Sequence, residues 1–77
     1  MNNIPEDVYG SLKYLKITDK IVMVHKYETF VNIYLSVPIL SKSDLKVLSL
    51  VGSLIGIVPV EDEMIVLRCN YEDNNSK

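Results

Sequence analysis

The sequence has few residues suited to cross-linking a small protein. Its 77 residues contain one cysteine, Cys69, and one histidine, His25. A single cysteine excludes an intrachain disulfide, and a structural zinc site needs more ligands than these two residues supply. We therefore expect no disulfide, no metal and no cofactor. The lone cysteine and the lack of a recognisable signal peptide favour a reducing, cytoplasmic location.

The sequence also lacks the residue patterns of catalysis. Its three glycines, Gly10, Gly52 and Gly56, make no phosphate-binding loop. His25 has neither an orienting carboxylate nor a nucleophile on its own segment. The adjacent acids Glu61–Glu63 lack the alternating spacing of a calcium loop and are typical of a solvated turn. We expect a protein that is not an enzyme and has no catalytic residues.

Charge of one sign is not in large excess. The formal net charge is −2 and the pI is about 5.2, which disfavours general attraction to nucleic acid. A hydrophobic content of 48% predicts a folded chain, with one domain over residues 1–77, a structured core over 20–69 and a disordered polar tail over 70–77. Because a domain of this size buries only about 60% of its unfolded surface, we expect it to form a homodimer.

The longest apolar stretch is Ser43–Val60, which carries one basic residue, Lys46. Its uncharged part, Val47–Val60, is shorter than the about 20 residues that span a bilayer, and it contains Pro59. We therefore predict no membrane span.

The first part of this stretch, from Asp44 to about Leu54, is interpreted as a helix. Its apolar residues then cover roughly 220° of the helix circumference, about twice the arc that packing on a sheet requires. Val47, Leu50 and Leu54 would lie in the excess, which either another segment of the chain or a second copy covers.

Residues 5–16 fit two structures. Val8, Leu12 and Leu15 recur at helical spacing, whereas Leu12, Tyr14 and Lys16 would alternate on a strand. We favour a short helix.

Two hairpins flank the central helix. Lys20–Tyr27 and Phe30–Val37 are joined through Glu28-Thr29. A two-residue turn there sets Val22 opposite Leu35 and Val24 opposite Ile33, and a longer loop is the alternative because Glu-Thr is not a favoured turn pair. Ile55–Val60 and Met64–Cys69 join through the acidic turn, which sets Val58 opposite Ile65 and Gly56 opposite Leu67. Pro59 confines its strand to an edge or an irregular position. The predicted fold class is therefore α+β, a single-domain antiparallel hairpin–helix–hairpin (ββαββ) with a short N-terminal helix.

One face of the first hairpin mixes aromatic, apolar and polar side chains: Met23, His25, Tyr27, Phe30, Asn32 and Tyr34. The N-terminal segment, a protein partner or a single-stranded nucleic acid would each suit this face. Nucleic acid also requires cationic groups, and only His25 is expected there.

The chain resembles the swapped-hairpin (AbrB/MazE) transcription regulators over residues 20–70. The matching pieces are Val37-Pro38, Asp44-Leu45-Lys46 and the closing segment Val60–Arg68. This resemblance of topology implies an intertwined dimer that binds DNA. The chain departs from the family pattern at the family's contacts, since no Gly-Arg follows the first turn and no arginine follows Pro38.

The sequence thus predicts a homodimeric protein-interaction module, such as a regulator or inhibitor of a larger protein. The alternative is a DNA- or RNA-binding transcriptional regulator of swapped-hairpin type. The predicted interaction residues are Val47, Leu50 and Leu54 on the helix, and Met23, Tyr27, Phe30 and Tyr34 on the mixed face.

Overall fold

A computed structural model describes residues 4–37, 40–61 and 63–70. In chain order the elements are α1 (Glu6–Tyr14), a 3-10 turn (Thr18–Lys20), β1 (Ile21–Lys26), β2 (Phe30–Leu35), α2 (Lys42–Ser49), β3 (Leu54–Glu61) and β4 (Met64–Asn70). The strands form one antiparallel sheet in the order β1-β2-β4-β3. The predicted α+β class and element order are confirmed. Asn70 is the last residue of β4, and the rest of the predicted tail lies outside the described residues.

The N-terminal segment is a helix, as favoured. Glu6 and Asp7 occupy its first turn and Lys13 its last, which matches the helix dipole. The helix ends in a Schellman motif, because Lys16 adopts a positive φ of 62° and the N–H of Ile17 donates to the carbonyl of Leu12 at 3.0 Å.

Helix α2 is shorter than predicted. Ser41 caps its start by accepting a hydrogen bond from the N–H of Asp44 at 3.1 Å. At its end, the N–H groups of Leu50 and Val51 bond three residues back, which tightens the last turn. The prediction of a helix to about Leu54 is wrong, since Leu54 begins β3. The broad apolar arc calculated for that longer helix therefore does not exist.

The first hairpin has the predicted register over most of its length. Met23 pairs with Tyr34 and His25 with Asn32, and the N–H of Tyr27 donates to the carbonyl of Phe30 at 2.8 Å. The predicted pairing of Val22 with Leu35 is wrong, because an irregularity between residues 21 and 23 brings Ile21 opposite Leu35 instead.

The second hairpin is shifted by one residue from the prediction. Val58 pairs with Val66 rather than Ile65, and Gly56 pairs with Arg68 rather than Leu67. Irregularities near both ends of β3 allow this shift. As predicted, the strand that contains Pro59 lies at an edge of the sheet.

Both helices pack on the same face of the sheet. Val8 and Leu12 of α1 and Leu48 of α2 belong to one buried cluster with residues of the two central strands, Val31, Ile33, Leu35, Ile65, Leu67 and Cys69. Side chains alternate between the faces of a strand, so the residues between these project from the other side of the sheet. That side, called the open face below, contains the mixed face of the first hairpin.

Candidate interaction surface

The open face gathers side chains from all four strands. Its members, placed by pairing register, are Met23, His25, Tyr27, Phe30, Asn32, Tyr34, Val58, Met64, Val66 and Arg68. Within the described residues, neither helix lies on this side of the sheet. Met23 remains 47% exposed and Val58 52% exposed. The sheet thus presents large apolar groups to its surroundings, where an antiparallel sheet usually has polar ones.

An apolar row crosses the middle of the open face. Met23 pairs with Tyr34, Tyr34 with Val66, and Val66 with Val58. Val66 is buried although it lies outside the core cluster, so its neighbours in the sheet cover it. This row, called the middle row, is a continuous apolar strip four strands wide.

Arg68 is held in a fixed position next to the middle row. Its Nε donates a hydrogen bond to Oδ1 of Asn32 at 3.1 Å, and its guanidinium carbon lies 4.4 Å from the centroid of the Phe30 ring. The contact with Asn32 satisfies a side chain that is only 6% exposed, and the contact with Phe30 is a cation–π interaction. A guanidinium held in this way loses little further entropy when it binds a carboxylate.

The rings beside Arg68 are stacked on one another. The centroids of His25 and Tyr27 are 4.5 Å apart with an interplanar angle of 17°. Those of Tyr27 and Phe30 are 4.6 Å apart with an angle of 19°. Phe30 therefore contacts Tyr27 from the β1 side and Arg68 from the β4 side.

The charges of the β3–β4 hairpin are separated along its strands. Arg68 lies near the end where Phe30 pairs with Asn70, whereas Met64 pairs with Glu61 at the opposite end. Glu61 and Glu63 are both exposed there. Glu63 and Arg68 are five residues apart in the sequence, which corresponds to about 17 Å along an extended chain.

The structure brings together one of the two predicted groups of interaction residues. Met23, Tyr27, Phe30 and Tyr34 all lie on the open face. The possibility that the N-terminal segment covers them is wrong for α1, which packs on the other side of the sheet.

The helix group is dispersed. Val47 is half-buried on α2, and Leu54 packs against the core from β3. Leu50 follows the last residue of α2 and is 82% exposed. These three residues do not form the single surface that the longer helix implied.

Sequence reasoning missed Arg68, Val58 and Val66 on the open face. The predicted register of the second hairpin placed Val58 opposite Ile65, which assigned neighbouring residues to the wrong faces. The irregularities at both ends of β3 cause the shift, and only Gly56 and Pro59 signal them in the sequence.

The described residues include one buried thiol, that of Cys69. Among residues 4–37, 40–61 and 63–70, no cluster of histidine, cysteine and acidic side chains is suited to hold a metal ion. Burial, aided by the nearby carboxylate of Asp7, raises the pKa of the Cys69 thiol to about 12. The thiolate that would react is therefore scarce at neutral pH. In the same described part of the chain, no helix is long and apolar enough to cross a bilayer.

Comparisons with protein-family models, with curated proteins and with solved structures find no match for this chain.

Proposed function

We propose that this protein is a non-enzymatic protein-interaction module that binds its partner through the open face of the sheet. The observation that carries the proposal is Arg68, held by Asn32 and Phe30 beside an apolar row that no described helix covers. Arginine, tyrosine, phenylalanine and methionine are enriched at protein interfaces, and lysine and glutamate are depleted there. The middle of the open face has this composition.

The residues also match the anatomy of an interface hot spot. Such spots combine aromatic and arginine anchors whose conformations are already fixed, so that little entropy is lost on binding. Tyr27, Phe30 and Arg68 hold one another through stacking and cation–π contacts before any partner arrives.

Binding of a single-stranded nucleic acid is the second candidate. The observation in its favour is the presence of Arg68 and His25 among aromatic rings, the combination on which bases stack. Two facts weigh against it. A base would have to displace Tyr27 or Arg68 to stack on Phe30, and the chain has a formal charge of −2. A DNA-binding regulator of swapped-hairpin type, which the sequence resemblance implies, is an alternative. The same observation favours it, and the same negative charge weighs against it.

We also propose that the module acts as a homodimer in a reducing compartment such as the cytoplasm, and that it regulates a larger protein. The single cysteine excludes an intrachain disulfide in so small a chain, which supports both the reducing compartment and the assembly.

Site-specific photo-crosslinking tests the proposal. A benzophenone amino acid in place of Tyr34 lies in the middle row, and the same group in place of Tyr14, which is 74% exposed on α1, is the matched control. We expect irradiation in an extract of the native host to give discrete protein adducts from position 34 and fewer from position 14. The proposal is wrong if position 34 gives no adduct. A salt-dependent gel shift with single-stranded oligonucleotides would favour the second candidate instead.

A further inference from the structure

We infer that the open face binds a second copy of this chain, in a two-fold dimer whose axis runs across the strands along the middle row. This inference rests on the proposed function and names the partner of the same surface. The two sheets would pack face to face about 10 Å apart, as in a β-sandwich.

Charge complementarity supports this partner and this axis. A two-fold axis along the middle row places the Arg68 end of each sheet over the acidic end of the other. Since Arg68 and Met64 lie two residues on either side of Val66 in β4, each Arg68 meets the partner's Met64. Met64 pairs with Glu61 in the sheet, so the partner's Glu61 is adjacent. Both charge pairs form at once because the interface is symmetric.

The alternative two-fold arrangement, with the axis along the strands, is unfavourable. It would place each Arg68 beside the same residue of the partner and each acidic turn beside the other acidic turn. Like charges in an interface cost free energy, so the chain's own charge layout selects the axis across the strands.

The size of the face suits a dimer in exchange with monomer. Four strands of six to eight residues give a projected area of about 19 by 24 Å, or ~450 Å². Side-chain relief raises the accessible area above this value, towards the ~600 Å² per partner at the lower end of standard interfaces. We therefore expect an association that depends on protein concentration.

Mixing two charge variants gives the sharpest test. Arg68→Glu alone and Glu61→Lys with Glu63→Lys alone each create two repulsive pairs in their own homodimer. A mixed dimer of the two variants instead contains two attractive pairs. We expect sedimentation analysis to show each variant dimerising at least about tenfold more weakly than the wild-type chain, and the mixture recovering most of that loss.

The mixture also controls for damage to the fold. Arg68→Glu removes the contacts to Asn32 and Phe30 within its own chain, and that loss persists in the mixture. Recovery on mixing therefore reports the contact between chains. Equal association of the mixture and the separate variants would overturn the charge pairing on which the inference rests.

Engineered cysteines test the position of the axis. Val58 lies on the axis, so Val58→Cys should form a disulfide with its own copy under mild oxidation, whereas the native Cys69 is buried. Leu50→Cys is the control, because Leu50 is 82% exposed on the helical side of the chain. Preferential cross-linking through position 50 would show a dimer built on the helix and overturn the inference.

The outcomes separate this inference from the proposed function. An adduct from position 34 at twice the 8.8 kDa chain mass supports both. Adducts with other proteins, from a chain that is monomeric at about 1 mM, overturn the dimer and leave the interaction module in place. If position 34 forms no adduct with any protein, both the dimer and the interaction module are overturned.

Discussion

The side-chain carboxylate of Asp7 accepts a hydrogen bond from the backbone N–H of Ser53 at 3.1 Å. Its other oxygen accepts from the N–H of Val8 at 2.8 Å, within the first turn of α1. Asp7, an exposed residue, therefore accepts one hydrogen bond from a free N–H group in the first turn of α1 and one from the loop that separates α2 from β3. That loop directly precedes Leu54, the first residue of β3.

Replacement of Asp7 by alanine is expected to lower the free energy of unfolding by about 1–2 kcal/mol. The variant loses a charge-assisted hydrogen bond to Ser53 and a favourable charge at the start of α1. Urea denaturation measures the change. Glu6→Ala is the matched control, since Glu6 shares the first turn and the helix dipole; equal losses in the two variants would mean that the Ser53 contact contributes nothing.

Lys16→Gly is expected to stabilise the protein by about 0.5–1 kcal/mol. Lys16 has a φ of 62°, a conformation that glycine adopts without the steric cost of a Cβ atom. Thermal unfolding provides the measurement. Lys16→Ala retains the Cβ and should give no such gain, so similar stabilisation by both substitutions would argue against backbone strain at this position.

Leu48→Ala and Leu50→Ala are the same substitution two residues apart, with very different expected results. Leu48 is 0% exposed and belongs to the core cluster, so its truncation should cost about 2–5 kcal/mol. Leu50 is 82% exposed and should tolerate the change within about 0.5 kcal/mol. Chemical denaturation of the two variants side by side tests the end of α2: a large loss at Leu50 would mean that the helix continues past Ser49.

The Cys69 thiol should make stability fall at high pH. Its pKa rises from 9.0 to about 12 on folding because burial and the Asp7 carboxylate disfavour the thiolate. The folded state therefore binds more protons than the unfolded state between these values, so the contribution is complete below pH 9 and is lost as the pH rises towards 12. Stability curves of the wild-type chain and Cys69→Ala should converge over this range. Parallel curves would contradict the raised pKa.

Local patterns in the sequence predicted the elements well. The spacing of Val8 and Leu12 indicates α1, and the faces of the first hairpin follow from its two-residue turn. Each of these features depends on residues close together in the chain. The sequence pattern therefore predicts that Tyr27, Phe30 and Tyr34 share one face of the first hairpin. It does not predict which side chains of the other strands lie beside them.

Features that depend on distant residues were missed. The sequence predicts a helix to about Leu54, yet α2 ends at Ser49, where the last turn tightens through hydrogen bonds to carbonyls three residues back. The position of Arg68 beside Phe30 depends on the pairing of β2 with β4, and the position of Val58 depends on irregular pairing along β3. The only sequence signals for these features are Gly56 and Pro59, which both lie in β3.

The pairing of β2 with β4 at the centre of the sheet, called the seam below, has a consequence for the folding pathway. Strands β2 and β4 join residues far apart in the chain, from Leu35 with Ile65 to Phe30 with Asn70, whereas each hairpin closes locally. Local hairpins form within microseconds, but the seam must wait until the intervening segment has been closed into a loop. The step that limits the rate should therefore be the meeting of the two hairpins at Ile33 and Leu67. A nascent chain would expose the core side of β2 until β4 has been synthesised.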